Sequence, residues 1–217
     1  KEGGRAGGWQ ARTMQVAWGV IGPLAVLMAR YFKVMPGKNG PRELDRQTWW
    51  RAHWMGNLGV VLLTLLGVAL ILSTAQGGSL HGQLGYVILT LVWVQVGFGI
   101  FRGSKGGPTA PSRDGSPRGD HYDMTLWRVG FEWVHKVTGY ALLVLAVVVI
   151  VMGLWEANAP RWMWLALALF WTGLLVGAVV LQWRGFAIDT YQAIWGPDPI
   201  HPGNQRKPIG WGIRRPG

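Results

Sequence analysis

The chain lacks cysteine altogether, and only 10 of its 217 residues are acidic. Without cysteine it cannot form disulfides, iron–sulfur clusters, thiolate-bound zinc sites or the thioether attachment of c-type haem. Charged residues are also scarce, at 14% of the chain, whereas soluble domains have about 25%. Hydrophobic residues make up 50%. This composition excludes an ordinary soluble domain and favours a membrane protein.

The apolar residues are concentrated in five segments. About 20 residues are needed to cross a hydrocarbon core about 30 Å thick, and each segment is long enough. They are segments A (13–32), B (51–73), C (80–102), D (127–155) and E (161–183). The pair Gly22–Pro23 predicts a kink inside segment A. The sequence therefore predicts an all-α integral membrane protein with about five transmembrane helices.

The basic residues are distributed unevenly about these spans. The net charge of +11 can indicate nucleic-acid binding, but the charges lie beside apolar spans, so no nucleic-acid partner is expected. Five spans place sixteen Lys and Arg residues on one side and four on the other. By the positive-inside rule the richer side is cytoplasmic. Residues 1–12 are then an extracytoplasmic N-terminal segment, 13–183 the transmembrane domain, and the proline-rich residues 184–217 a cytoplasmic irregular tail.

Three histidines lie in or at the ends of the spans. His53 opens segment B, His81 opens C and His135 lies near the start of D. Ionisable groups at such depth are uncommon and usually functional, although each one alone is also compatible with an interfacial hydrogen bond. Segments B and D run in the same direction, so His53 and His135 lie at similar depth on the cytoplasmic side. His81 begins at the opposite face. Two imidazoles at one depth can bind one haem iron axially.

A glycine follows each of these histidines by about one helical turn. Gly56 follows His53, Gly85 follows His81 and Gly139 follows His135. A missing side chain makes room for a flat macrocycle, although small residues also serve helix packing. Zinc is a weaker alternative because it needs three or four ligands, and the spans contain little carboxylate. The pattern favours haem, which needs two protein ligands and, with both axial positions filled, carries electrons.

Several runs of residues carry a resemblance to a known family. They are Trp18-Gly19, Ala29-Arg30-Tyr31-Phe32-Lys33, His53 with the tryptophans before it, His81-Gly82-x-Leu84-Gly85, and Phe131-Glu132-x-x-His135-Lys136-x-x-Gly139-Tyr140. Over roughly residues 10–200 the sequence resembles the cytochrome b561 family, nearest to the branch whose members often carry an extracytoplasmic DOMON domain. The loop runs 105–109 and 119–124 look like bacterial members, which implies a bacterial inner membrane.

The resemblance implies a four-helix haem-binding core, followed here by a C-terminal helix. The family holds two b haems, one near each face, with ligands paired between alternate helices. His53 and His135 match one pair. His81 matches one member of the second pair, but Gln10 stands at its partner's position, and glutamine is a poor iron ligand. Met14, one turn later, is an alternative because His/Met pairs occur in other cytochromes. One haem b is therefore expected, with the outer site altered or lost.

Several charged residues lie close to the expected inner haem. Arg30, Lys33 and Lys136 are candidates for pairing with haem propionates or attracting an anionic donor such as ascorbate. The positive-inside pattern alone also places such charges there. Glu132, one turn before His135, is expected to bond either an imidazole or a loop arginine.

The leading interpretation is a membrane-bound electron carrier of the b561 type, or a subunit of an oxidoreductase complex. It would lie in membrane lipid and pass single electrons between a quinol or ascorbate-like donor and a redox partner protein or larger membrane complex. The alternative is a structural or assembly subunit derived from a cytochrome, with reduced or no haem; Gln10 keeps this open. A transporter is disfavoured because few polar residues lie in mid-span and no inverted repeat is present.

Overall fold

The computed structural model describes residues 2–34, 46–72, 78–102, 125–199 and 201–215, and side chains from residue 7 onward within these ranges. The loop runs 105–109 and 119–124, which carry the likeness to bacterial sequences, lie outside the described residues. Within the described ranges, all the long elements are helices. Five of these helices are long and apolar enough to cross a membrane. The predicted all-α membrane fold with five spans is confirmed.

The spans agree closely with the apolar segments. The first consists of α1 (Glu2–Met14), a π-helical segment (Gln15–Ile21) and α2 (Gly22–Tyr31); the others are α3 (Thr48–Ile71), α4 (Leu80–Phe101), α5 (Leu126–Glu156) and α6 (Arg161–Trp183). Side chains just before two of the helices cap free N–H groups. Ser79 Oγ accepts from the N–H of Gly82 at the start of α4, and Thr125 Oγ1 accepts from that of Arg128 at the start of α5.

The first span contains an irregular segment. Its helix begins at Glu2, and the part that is long and apolar enough to cross a membrane is Gly7–Tyr31. A π-helical segment (Gln15–Ile21) precedes the pair Gly22–Pro23, at which the sequence predicts a kink. Pro23 has no N–H to donate to the carbonyl of Gly19, four residues earlier. That carbonyl accepts a hydrogen bond from the indole Nε1 of Trp171 in α6 at 2.9 Å, which satisfies it from a neighbouring helix.

The bundle is held by two helix pairs. The first span packs along α3, and α4 packs along α5. A buried polar contact supports the first pair, because Trp18 Nε1 donates to Thr64 Oγ1 at 3.0 Å. The apolar core lies between these helices and comprises Ala17, Trp18, Val60, Ile88, Val92, Leu142, Ala146, Ile150 and Leu154. The described helix α6 buries none of its residues fully, as expected for a peripheral span facing lipid.

The C-terminal tail is more ordered than its prolines suggested. It contains the short helix α7 (Thr190–Trp195) and a 3₁₀ turn (Pro202–Gln205). Asp189 caps α7 through the N–H of Tyr191 and pairs with Arg215, whose Nε lies 2.6 Å from its carboxylate. A side chain at Gly203 would collide with the Tyr191 ring, since an added Cβ would lie 2.2 Å from it. The ion pair and the close approach of Gly203 to Tyr191 therefore order the tail. Neither contact produces a hydrophobic pattern in the sequence that could have predicted it.

Candidate functional site

The histidines at the starts of the second and fourth spans meet inside the bundle. The ring centres of His53 in α3 and His135 in α5 are 6.1 Å apart, and the ring planes are inclined at 82°. A bond between a metal and an imidazole nitrogen is about 2 Å long, so two rings bound to opposite faces of one iron have centres roughly 6 Å apart. The spacing therefore fits two axial ligands of a single metal. Within the described residues, no group of three or more His, Asp or Glu side chains could hold a bare metal ion.

The ring of His53 is oriented by the first span. Its Nδ1 lies 3.0 Å from the backbone carbonyl oxygen of Ala25. A carbonyl can only accept, so Nδ1 carries the proton and the lone pair of Nε2 is left for a metal. Asn57, one turn after His53, donates from Nδ2 to the carbonyl of His53 at 2.7 Å. Its 3.3 Å approach to Nδ1 is then a contact between two donors.

His135 is held by apolar contacts. Its ring stacks on Phe131, one turn earlier in α5, with ring centres 5.3 Å apart and planes inclined at 17°. Phe98 of α4 packs edge-on against Phe131 at 6.1 Å. The Nδ1 atom of His135 is buried and has no hydrogen-bond partner among the described residues. His135 thus differs from His53, whose Nδ1 has an acceptor.

A mid-span glutamine reaches the turn that carries His135. Gln95 of α4 donates from Nε2 to the backbone carbonyl of His135 at 3.1 Å and to Thr138 Oγ1. Its Oε1 is buried without a partner. Gln95 was not among the predicted site residues, although the signal was present: polar residues inside a span are rare and tend to be functional.

The two predicted site glycines have different neighbours. A Cβ added at Gly56 would lie 2.9 Å from the Cβ of Ala25, so this glycine permits close contact between α3 and α2. A Cβ at Gly139 would lie 3.6 Å from Gln95 Nε2, an ordinary contact. Room for a macrocycle beside either glycine stays a prediction. The close contact at Gly56 also affects the orientation of His53, because Ala25 supplies the carbonyl that orients this histidine.

The three predicted basic residues all bind the tail. Each donates a hydrogen bond to a backbone carbonyl: Arg30 Nη2 to Trp211 at 2.7 Å, Lys33 Nζ to Ile188 at 3.1 Å, and Lys136 Nζ to Ile209 at 2.6 Å. Arg30 also donates to Tyr140 Oη of α5 at 2.9 Å and to Gln182 Oε1 of α6 at 3.0 Å. These bonds attach the tail to the end of the bundle where His53 and His135 lie.

Lys33 and Glu132 are charged groups at the end of the bundle where His53 and His135 lie. Burial, and then the positive charge of Lys136, lower the pKa of Lys33 from 10.5 to about 7. Lys33 is 5% exposed. Glu132 bonds neither histidine: it pairs with Lys136 at 2.6 Å and with Arg128 at 3.5 Å. The expected partner was an imidazole or a loop arginine, whereas Arg128 and Lys136 both lie in α5, the helix that carries Glu132.

At the opposite end of the bundle, two side chains lie against glycines of neighbouring helices. The ring of His81 packs against Gly153, where an added Cβ would lie 2.8 Å from its Cε1, and Met14 packs in the same way against Gly67, with Cε at 2.7 Å. The Nδ1 atom of His81 is buried without a partner. Because α3 and α4 run in opposite directions, His81 lies at the other end from His53. The structure does not bring His81 to the pair formed by His53 and His135.

Five apolar helices with a histidine pair at one end of the bundle define a helical integral membrane protein. No family model and no solved structure matches the chain. A cytochrome b561 and DOMON domain-containing protein of Arabidopsis thaliana is 26% identical over 174 residues, which cover 76% of this chain and 35% of the relative. The chain thus spans about a third of that protein's length. The similarity is distant, and it is to the family that the histidine motifs resemble.

Proposed function

We propose that the chain is a membrane-bound b-type cytochrome that carries single electrons through one haem b, held by His53 and His135 near the cytoplasmic face. The observation that supports this is the 6.1 Å separation of the two imidazole rings, which come from spans two and four. A haem bound there supplies a one-electron iron couple. The distant relative, named for its cytochrome b561 domain, supports the same class.

The chain's own residues would perform three tasks. The Ala25 carbonyl fixes the tautomer and direction of His53, which raises the basicity of a metal-bound imidazole. Phe131 stacks on His135 and limits its rotation. A haem held by both imidazoles would have no protein-side position left for a substrate, so such a site would suit electron transfer rather than substrate activation.

The proposal includes one haem rather than two. At the outer end, Gln10 stands at the position where the resemblance implies the second ligand. There His81 lies against Gly153, and Met14 lies against Gly67. The side chain of Met14 is thus engaged with α3, and a His81–Met14 ligand pair has no support from these contacts. With a single haem, the chain needs a redox partner protein or a larger membrane complex to complete a path across the membrane.

The proposed orientation places the N-terminus outside and the C-terminus in the cytoplasm, in a bacterial inner membrane. It rests on the sixteen-to-four distribution of basic residues. The electron donor is proposed to be a quinol or an ascorbate-like molecule. Since Arg30, Lys33 and Lys136 already bond tail carbonyls, an anionic donor or a haem propionate would have to share them with the tail.

Haem content of histidine variants tests the proposal. The wild-type chain and three variants would be purified in detergent, and the haem bound per chain would be quantified. The variants are His53→Ala, His135→Ala and His81→Ala. We expect one haem in the wild type, none in the first two variants, and one in His81→Ala. Helical content by circular dichroism checks that loss of haem is not loss of fold. Equal loss in all three variants would overturn the pairing, and an apo wild type that accepts no added haem would favour the structural-subunit alternative.

A further inference from the structure

Two buried polar atoms on either side of one helix contact lack hydrogen-bond partners within the part of the chain that the structure describes. One is Nδ1 of His135 in α5, and the other is Oε1 of Gln95 in α4. The two residues are already in contact, since Gln95 Nε2 donates to the carbonyl of His135 at 3.1 Å. An unpaired buried polar group costs about 1–3 kcal/mol. Two such atoms in one contact are therefore an unusual coincidence.

The chemistry of the two atoms is complementary. An imidazole that binds iron through Nε2 carries its proton on Nδ1 and becomes a donor there. The amide oxygen of Gln95 can only accept. The orientation of the amide is fixed, because the group facing the carbonyl of His135 must be the NH₂ end. Thr138 Oγ1 can accept from the same NH₂ because its own proton is donated to the carbonyl of Val134 at 2.7 Å.

We propose that Gln95 is the positioning residue for His135: its NH₂ group holds the turn of α5, and its Oε1 accepts the Nδ1–H of His135 when haem is bound. Gln95 would then do for His135 what the carbonyl of Ala25 does for His53. The inference rests on the proposed haem site. It explains why an uncharged polar side chain stands in the middle of the apolar span α4.

The hydrogen bond has a measurable electronic consequence. An acceptor on Nδ1–H makes the imidazole a stronger donor to iron and stabilises the oxidised state. Gln95→Leu removes the acceptor and should shift the haem potential to a more positive value. Gln95→Glu keeps an oxygen acceptor but loses the NH₂ group that bonds the carbonyl of His135, and its negative charge should shift the potential to a more negative value. Thr90→Val is the matched control, because Thr90 is on the exposed side of α4 and bonds only the carbonyl of Tyr86, in its own helix, among the bonds described.

The experiment measures the midpoint potential of the haem-loaded variants and, in reduced protein with ¹⁵N-labelled histidine, the imidazole Nδ1–H resonances. In Gln95→Leu we expect one ring N–H signal of the wild type to move upfield and to exchange faster with water. The same signal should persist in Gln95→Glu and be unchanged in Thr90→Val. Unchanged ring N–H signals in Gln95→Leu would overturn the inference. If Gln95→Leu fails to accumulate, absence from the haem-loaded wild type of a second slowly exchanging ring N–H signal, beside that of His53, would overturn it. Absence of haem from the wild type would instead overturn the proposed function itself.

Discussion

His53 and Ala25 are linked by a single hydrogen bond between helices, with the imidazole Nδ1 3.0 Å from the backbone carbonyl oxygen. The same Ala25 presses its Cβ against Gly56, where an added Cβ would lie 2.9 Å away. The direction of the His53 ring therefore depends on how closely α2 and α3 approach. A residue without a side chain sets that distance, one turn after the histidine.

Gly56→Ala should separate α2 from α3 and weaken the bond that orients His53. Overpacking of this kind costs about 1–3 kcal/mol, and we expect lower thermal stability and weaker haem retention, measured by unfolding in detergent and by haem absorbance. Gly59→Ala is the control, because an added Cβ there has no neighbour within 4 Å, and alanine favours the helix by up to about 1 kcal/mol. Equal stability of the two variants would contradict the role given to Gly56.

Trp171→Phe should loosen the attachment of the fifth span. The substitution removes the indole N–H that bonds the carbonyl of Gly19 at 2.9 Å, and it leaves a carbonyl that Pro23 cannot satisfy. The expected loss is about 1–3 kcal/mol in the free energy of unfolding. Trp162→Phe, at a tryptophan that is 68% exposed, is the control. Denaturant unfolding of both variants would show the difference, and an equal response would mean that the Gly19 carbonyl finds another donor.

Arg30→Leu should release the C-terminal tail. Four acceptors lose a hydrogen bond from Arg30: Tyr31 Oη, Tyr140 Oη, Gln182 Oε1 and the carbonyl of Trp211. Bonds to charged groups contribute about 1.5–3 kcal/mol each. We expect faster cleavage within residues 184–217 by a protease of broad specificity. Arg184→Leu, at an exposed arginine near the same end, should be cleaved at the wild-type rate. Unchanged protection in Arg30→Leu would show that Lys33 and Lys136 suffice to hold the tail.

Lys33 should make stability depend on pH above neutrality. Its pKa is lowered from 10.5 to about 7 by burial and by Lys136. Between these values the unfolded chain binds more protons than the folded chain, so the free energy of unfolding rises with pH. Lys33→Met removes the group, and the wild type should gain stability relative to this variant from about pH 7 to about pH 10. Thermal unfolding across that range, with exposed Lys207→Met as control, measures the gain. A difference independent of pH would contradict it.

The membrane fold follows from local sequence, which explains why it could be predicted. The lengths of the apolar segments predicted the four later spans to within a few residues. N-cap residues mark the starts of two of them, Ser79 that of α4 and Thr125 that of α5. The start of the first helix at Glu2 could not be predicted, because Glu2–Arg12 is polar and rich in glycine and so lacks an apolar helix pattern. The folding of the tail depends on contacts such as Asp189–Arg215, which join residues distant in sequence.

The histidine pair could be predicted from topology alone, because helices of the same direction place their starts at one end. The groups around the pair could not. The Ala25 carbonyl has no side-chain signature, and Gln95 reaches His135 only because α4 packs on α5. Arg30, Lys33 and Lys136 lie near this end, but the sequence could not show that they would bond carbonyls of the tail.

A reduced-minus-oxidised spectrum with haem quantified per chain tests the paired-imidazole site most directly. We expect a six-coordinate, low-spin b-type spectrum and one haem per purified chain, both lost in His53→Ala and in His135→Ala. A protein that holds no haem after expression with ample haem supply, or that keeps the same spectrum without either of these two histidines, would contradict the site.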